Sequence, residues 1–143
     1  MNKLTEEINN LLQTFRKLRD PSQGCPWDKE QDFKSIASCS IEEAYEVADA
    51  IEREDFNDLK EELGDLFFQI IFHSGMAEEK KLFNFEEVVK ELNDKLIRRH
   101  PHVFGDEDVE DSGEVLVNWE KIKSKEKEHE HRKSILDGVP KTF

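Results

Sequence analysis

Two pairs of acidic residues have the types and the spacing to bind a metal ion. Glu43 and Glu46 are three positions apart, and so are Glu62 and Asp65. Residues three apart share one face of a helix, so each pair can direct two carboxylates to a common point. Converging carboxylates beside apolar side chains repel one another and lose hydration unless a cation lies among them. The natural counter-charge is a hard divalent ion, and Mg²⁺ is the usual one when substrates carry phosphates.

Two consecutive helices in segment 41–73 are expected to position these pairs. Apolar residues recur there at helical spacing, and the carboxylates are predicted to border the resulting stripes. A single acidic pair is more typical of a solvated helix surface, since glutamate is a good helix former. Two pairs on neighbouring helices, both beside an apolar stripe, favour a metal site more strongly. The predicted stripes are Ala44, Val47, Ala48 and Ile51 in the first helix, and Leu59, Leu63, Leu66 and Ile70 in the second.

Length and charge limit the classes of function. A chain of 143 residues suits a single domain spanning residues 1–143. Its formal net charge of -13 disfavours a nucleic acid or an anionic membrane surface as partner. A small anionic substrate remains compatible if a metal ion and a local basic cluster reverse the field. No leader pattern and no apolar run near 18 residues is present, so we expect a cytoplasmic protein without membrane insertion.

The remaining pattern predicts an all-α fold of about five helices, with no segment of strand periodicity. Helices are expected over residues 2–18, in the two acidic segments, from Phe85 to just before Pro101, and over 114–130. An aromatic loop is expected at 19–36, an acidic loop at 105–113 and an irregular tail at 131–143. In the aromatic loop, Trp27 either covers the core or borders a ligand pocket.

The helix that follows the second acidic pair is apolar on nearly every side between Leu66 and Phe72. Such a helix needs covering all round, which one small domain has difficulty supplying. We therefore expect part of it to pack against a second subunit, in a homodimer or a larger homo-oligomer.

Basic and aromatic residues with the spacing of a ligand-binding face occur later in the chain. Lys95 and Arg99 share one helical face, as do Trp119 and Lys123 in the last helix. Glu126 and His129 have the ExxH spacing of carboxylate di-iron bundles, but such a site needs matching motifs on other helices. Glu126 is therefore interpreted as part of a polar, solvated helix end.

Five segments together resemble the MazG family of nucleoside triphosphate pyrophosphohydrolases, within the all-α NTP pyrophosphatase superfamily. The similarity extends from about Leu18 to Lys127, and its core signature is ExxE followed by ExxD. Here that signature is Glu43/Glu46 and Glu62/Asp65. The resemblance implies a four-helix-bundle-type fold that is oligomeric, Mg²⁺ on the four carboxylates, and hydrolysis of nucleoside triphosphates between the α- and β-phosphates. The segments are GCPWDKEQ, IEEAYEVADAI, LKEELGDLFFQIIFH, DKLIRRHPHVFGD and NWEKIKSKEK.

The same resemblance assigns roles outside the metal site. Glu42 would orient or deprotonate the attacking water, or support it from a more distant position. Lys95 and Arg99 would face the triphosphate, and Trp119 with Lys123 would contact substrate as well. Many relatives have QTH where this chain has Gln31-Asp32-Phe33, which leaves the base preference open. The alternatives are a narrower dUTP or phosphoribosyl-ATP pyrophosphohydrolase of the same superfamily, or a non-catalytic helical oligomerisation module.

Overall fold

Seven helices and no strand make up the part of the chain that the computed structural model describes, which is residues 2–130, with side chains described through residue 127. The predicted all-α class is confirmed. The predicted tail 131–143 lies outside the described residues. The helices are α1 (Lys3–Leu18), α2 (Pro26–Glu30), α3 (Phe33–Glu52), α4 (Phe56–Glu79), α5 (Phe85–Arg99), α6 (Pro101–Phe104) and α7 (Ser112–Glu130).

Each of the five long helices begins after an asparagine or aspartate whose side chain accepts a backbone N–H of the first turn. These N–H groups have no partner inside the helix, and capping one of them typically stabilises a helix by about 1 kcal/mol. The start of each long helix is therefore determined by a residue next to it in the sequence. The capping residues are Asn2, Asp32, Asp55, Asn84 and Asp111.

The start of α3 differs from the prediction. The expected aromatic loop ended at residue 36, whereas the structure has the short helix α2 inside it and begins α3 at Phe33. The reason is a capping box, in which the Asp32 side chain accepts the N–H of Ser35 and the Ser35 hydroxyl accepts the N–H of Asp32. This pair of hydrogen bonds starts a helix directly after the proline and glycine residues that predicted a loop.

The chain divides into two compact units, Met1–Val88 and Val89–Phe143. The first contains α1 to α4 and the second contains most of α5 together with α6 and α7. The expectation of one domain spanning residues 1–143 stays a prediction.

The core of the first unit lies where α4 packs against α1 and α3. Phe15 of α1 makes edge-to-face contacts with Phe68 and Phe72 of α4, with ring centroids 6.4 and 5.1 Å apart. Burying one such ring contributes roughly 2 kcal/mol. Gly75 permits this approach, because a Cβ atom at that position would collide with the Phe15 ring. The buried core residues are Phe15, Ile36, Ile71, Phe72 and Met76.

The apolar stripes predicted for the two acidic helices are partly wrong. In α3, Ala50 is buried and Val47 is half-buried, whereas Ile51 is 55% exposed. In α4, Leu63 and Ile70 are 49% and 42% exposed. Both α3 and α4 carry apolar residues on two faces. Other helices of the same chain cover only one face of each. Ala44 and Ala48 are also exposed, and Leu59 and Leu66 are half-buried.

The apolar circumference of α4 is covered in part by the chain itself. Ile71 and Phe72 are each only 1% exposed, because α1 and α3 pack over them. These two residues therefore need no second subunit to cover them. Burial of the remainder in an oligomer stays a prediction.

Arg19 fastens α2 to the end of α4. Its Nη1 group donates to the backbone carbonyls of Asp28, Lys29 and Gln31, and its Nε and Nη2 groups donate to Glu79. The carbonyls at the end of α2 are thereby satisfied by a cation, which is favourable at a helix C-terminus.

Trp27 on α2 is 53% exposed, so it does not cover the core. Among the described helices, none is long and apolar enough to cross a membrane.

Candidate functional site

Three of the predicted metal ligands come together in the first unit. Glu43 of α3 and Glu62 and Asp65 of α4 each place a carboxylate oxygen within 4.8 Å of the others. Glu43 and Glu62 are half-buried, whereas Asp65 is exposed. We call these three residues the acidic cluster. The cluster lies where α3 packs against α4. The carboxylates of Glu43 and Glu62 are therefore partly desolvated.

The acidic cluster has an excess of negative charge. Loss of hydration is the largest cause that raises the pKa of Glu62 to about 6, and the nearby carboxyl groups of Glu43, Asp58 and Asp65 act in the same direction. The Glu43 Oε2 atom is buried and has no hydrogen-bond partner in the described chain. A buried oxygen without a donor and a carboxyl group with a raised pKa both indicate that a positive charge would be favourable here. The donor set of carboxylate oxygens fits a hard divalent cation.

Glu46 and Glu42 lie outside this cluster. Both side chains are exposed, and the group of converging carboxylates among the described residues does not include them. Glu46 is three positions after Glu43 on α3, as the sequence requires for a shared face. The fourth ligand and the catalytic role of Glu42 stay predictions.

Arg53 fixes the turn that joins the two acidic helices. Its guanidinium pairs with Asp49 at 2.9 Å and with Asp55 at 3.5 Å, and it also donates to Asp58. The connection is only three residues long, and Glu54 within it has a left-handed φ of 56°. These ion pairs hold the start of α4 against the end of α3, which sets the positions from which Glu43 and Glu62 meet.

Polar residues continue beyond the acidic cluster along α4, and these are more buried than their types suggest. Gln69, one turn after Asp65, has a buried Oε1 atom without a hydrogen-bond partner in the described chain. His73, one turn further, lies 3.3 Å from the Ser40 hydroxyl and stacks on Phe33 with ring centroids 6.0 Å apart. Burial lowers the pKa of His73, which favours its neutral form.

In the second unit, two of the predicted substrate-binding residues are in contact. The Arg99 guanidinium lies over the Trp119 ring, 5.4 Å from its centroid. His100 meets the same ring edge-on at 4.9 Å. Arg99 and Trp119 are both half-buried, so the cation and the ring hold each other in a defined orientation.

The two predicted lysines have different surroundings. Lys95 is half-buried, one turn before Arg99 on α5. Lys123 lies 3.9 Å from Glu120, a long ion pair on α7. Substrate contact by either lysine stays a prediction.

Glu126 was misinterpreted from the sequence. Its side chain is only 18% exposed, and its two oxygens pair with Arg98 and Arg99 at 2.6 Å each. These hydrogen bonds lower the pKa of Glu126, with the contact to Arg99 as the largest cause. A usable signal was present, because Glu126 is seven residues after Trp119 and therefore on the same face of α7. We call Arg98, Arg99, Trp119 and Glu126 the arginine cluster.

Comparisons with known proteins give a consistent result. The family model of the MazG nucleotide pyrophosphohydrolase domain matches residues 31–104, which include the acidic cluster and Arg99. A nucleoside triphosphate pyrophosphohydrolase of Escherichia coli strain K12 is 52% identical over 137 residues, covering 96% of this chain and 52% of the relative. The nucleoside triphosphate pyrophosphohydrolase/pyrophosphatase MazG of Thermotoga maritima is 44% identical over 120 residues, covering 84% of this chain and 45% of the relative.

The same fold is found in a solved structure. The crystal structure of a mazG-related protein from Thermotoga maritima matches with a TM-score of 0.66 and 26% identity, over 81% of this chain and 98% of the other. This chain spans about half the length of the curated relatives it matches.

Proposed function

The chain belongs to the MazG nucleotide pyrophosphohydrolase domain family, and on that premise we propose that it hydrolyses nucleoside triphosphates between the α- and β-phosphates. The products are a nucleoside monophosphate and pyrophosphate. The observation that carries the proposal is the acidic cluster, in which Glu43, Glu62 and Asp65 converge without an ion pair to any of the described lysine or arginine side chains. Such an arrangement is costly in a protein that only has to fold, and it is favourable in one that binds a cation with its substrate.

Glu43, Glu62 and Asp65 would hold Mg²⁺, with Glu46 as the proposed fourth ligand. The ion would polarise phosphate oxygens and lower the pKa of a bound water. Glu42 stands beside Glu43 on α3 and would orient the attacking water or accept its proton. The half-buried carboxylates of Glu43 and Glu62 would attract such an ion more strongly than exposed ones, because less solvent screens them.

Residues outside the acidic cluster are also proposed to contact the nucleotide. Arg99 and Lys95 would contact the triphosphate, where cationic side chains offset the charge that develops on the leaving pyrophosphate. Trp119 has an aromatic face and Lys123 a positive charge for further contacts with substrate. The contact between Arg99 and Trp119 supports a shared role for these two residues.

The proposal is tested by incubating the purified protein with a mixture of nucleoside triphosphates and Mg²⁺ and measuring pyrophosphate. A Glu62→Gln preparation made in parallel controls for contaminating hydrolases. Pyrophosphate release that depends on Mg²⁺ and is lost in the variant is expected. Release of orthophosphate without pyrophosphate would contradict the proposed bond of cleavage.

Two alternatives make different predictions in the same assay. A narrower dUTP or phosphoribosyl-ATP pyrophosphohydrolase would act on one of these substrates and on no other nucleotide. A non-catalytic oligomerisation module would release no pyrophosphate from any of them. The converging carboxylates favour an enzyme over such a module. Their mutual repulsion lowers the stability of the fold, and a module that binds no cation gains nothing in return.

We also propose that the protein is a homodimer or a larger homo-oligomer. Support comes from large apolar side chains of α3 and α4 that the chain itself leaves exposed: Tyr45 at 65%, Ile51 at 55%, Leu63 at 49% and Ile70 at 42%. A second copy of the chain presents the same apolar residues and would cover them. Sedimentation at micromolar concentration tests this, and a stable, active 16.8 kDa species would contradict it.

A further inference from the structure

We propose that Glu126 is a positioning residue that aims the Arg99 guanidinium at the phosphates of the substrate. The inference rests on the proposed function, since it takes Arg99 to be a phosphate contact. It adds a residue that the roles assigned above do not include. It also explains why a carboxylate is buried beside two arginines in a region proposed to attract an anion.

The hydrogen bonds of Glu126 define one orientation of Arg99. The Oε2 atom accepts from Nε at 3.1 Å and from Nη2 at 2.6 Å, a paired contact along one edge of the guanidinium. The central carbon of the same group lies 5.4 Å from the centroid of the Trp119 ring. The paired contact on one edge and the neighbouring ring together restrict the direction in which this planar cation points.

The remaining edge of the guanidinium can serve a ligand. A guanidinium has five N–H donors, and the Oε2 atom of Glu126 uses those of the Nε–Nη2 edge. Among the described residues, no hydrogen bond engages the Nη1 atom of Arg99. The Nη1–Nη2 edge has the fork geometry that matches two oxygens of a phosphate.

The charges in the arginine cluster favour an anion even though a carboxylate is present. Two guanidinium groups share the single carboxylate of Glu126, which leaves one positive charge in excess. Arg98 is 53% exposed and well screened by water, whereas Arg99 is 16% exposed. The excess positive charge is therefore felt most strongly at Arg99, in a chain whose overall charge is -13.

A double-mutant cycle tests the proposal without depending on turnover. The affinity of a non-hydrolysable α,β-methylene nucleoside triphosphate, with Mg²⁺, is measured by calorimetry for the wild type, Glu126→Gln, Arg99→Ala and the double variant. We expect Glu126→Gln to weaken binding by about 10-fold when Arg99 is present and by less than about twofold when it is absent. Glutamine keeps the size of the side chain but loses its charge, so the fold is preserved.

Lys125→Ala is the matched control. It removes an exposed positive charge directly before Glu126 and outside the arginine cluster, and it should change the affinity by less than about threefold. Equal losses from Glu126→Gln in both Arg99 backgrounds would show a merely structural role and overturn the proposal, as would wild-type affinity of Glu126→Gln. Wild-type affinity of Arg99→Ala would show that Arg99 does not contact the ligand. It would overturn this inference but not the proposed hydrolysis. No binding by the wild type would instead overturn the proposed function, and this inference with it.

Discussion

The acidic cluster and the arginine cluster both gather like charges, yet only one of them supplies its own counter-charge. In the first, Glu43, Glu62 and Asp65 converge without a basic partner among the described side chains, desolvation and neighbouring carboxylates raise the pKa of Glu62, and a buried oxygen of Glu43 has no donor in that part of the chain. In the second, Glu126 sits between two arginines. A bound cation would supply the counter-charge that the first cluster lacks, whereas the second cluster already contains its own. Removing a charge should therefore have opposite effects on the stability of the two clusters.

The largest effect is expected from the acidic cluster. Glu62→Ala or Asp65→Ala should lower Mg²⁺-dependent kcat/KM by roughly 1000-fold or more, because a ligand of the ion is lost. The helical circular dichroism should stay unchanged, and the cation-free protein should be as stable as the wild type or more so, since repulsion is relieved. Activity of both variants within about threefold of wild type would remove them from the site.

Glu61→Gln is the control for that experiment. Glu61 is exposed on α4, directly before Glu62, and is outside the acidic cluster. It carries the same charge, so a general electrostatic effect would appear in both variants. Wild-type kcat/KM in Glu61→Gln, beside a large loss in Glu62→Ala, locates the effect in the cluster.

A smaller loss is expected at the arginine cluster. Arg99→Ala should lower kcat/KM by roughly 10- to 1000-fold for all nucleotides alike, because it removes a contact to phosphates that all of them share. It should also destabilise the apo protein, since Glu126 loses its better-buried partner. A loss that varies strongly among nucleotides would mean that Arg99 contacts the base or sugar instead.

Trp119→Ala separates ligand contact from packing within the same cluster. If the ring contacts the base or sugar, the loss in kcat/KM should be on the order of 10-fold and should differ among nucleotides. The variant also removes the surface on which Arg99 and His100 rest. A uniform loss accompanied by a large drop in melting temperature would make Trp119 a support for Arg99 only.

The smallest effect concerns pH and needs no substrate. Because the folded-state pKa of Glu62 is raised from 4.5 to about 6, its stabilising contribution is complete below 4.5 and is lost as pH rises through 6. In cation-free buffer, the melting temperature of the wild type should therefore fall by a few degrees over this range relative to Glu62→Gln. At high pH, Mg²⁺ should remove the difference in melting temperature between the wild type and Glu62→Gln. If the two melting temperatures changed with pH in parallel without Mg²⁺, the raised pKa of Glu62 would be contradicted.

The sequence predicted the all-α class because helical periodicity and the residues before each helix are local signals. It was less successful with the faces of α3 and α4. Both Ala50 and Ile51 fit a helical stripe, and only packing decides that Ala50 is buried while Ile51 is 55% exposed. A helix with two apolar faces gives no indication, from its sequence, of which face its own chain covers.

The candidate site was predicted to a similar degree. The spacing of the acidic pairs identified three carboxylates that do converge, because residues on facing turns of one hairpin have little freedom to separate. Glu46 has the same spacing but is exposed in the single chain. The spacing of seven residues from Trp119 places Glu126 on the same face of α7, but it does not identify the partners of Glu126. Those partners, Arg98 and Arg99, lie 28 and 27 residues earlier in the chain.

The short connection between α3 and α4 has a consequence for how the protein folds. All three residues of the acidic cluster lie within one antiparallel hairpin, closed by a turn of three residues that Arg53 secures. Contacts this close in sequence form quickly, because little chain entropy is lost in closing the loop. The cluster should thus assemble early, and its repulsion must be overcome while the rest of the first unit is still unformed. Divalent cations should therefore accelerate refolding, in addition to stabilising the folded protein.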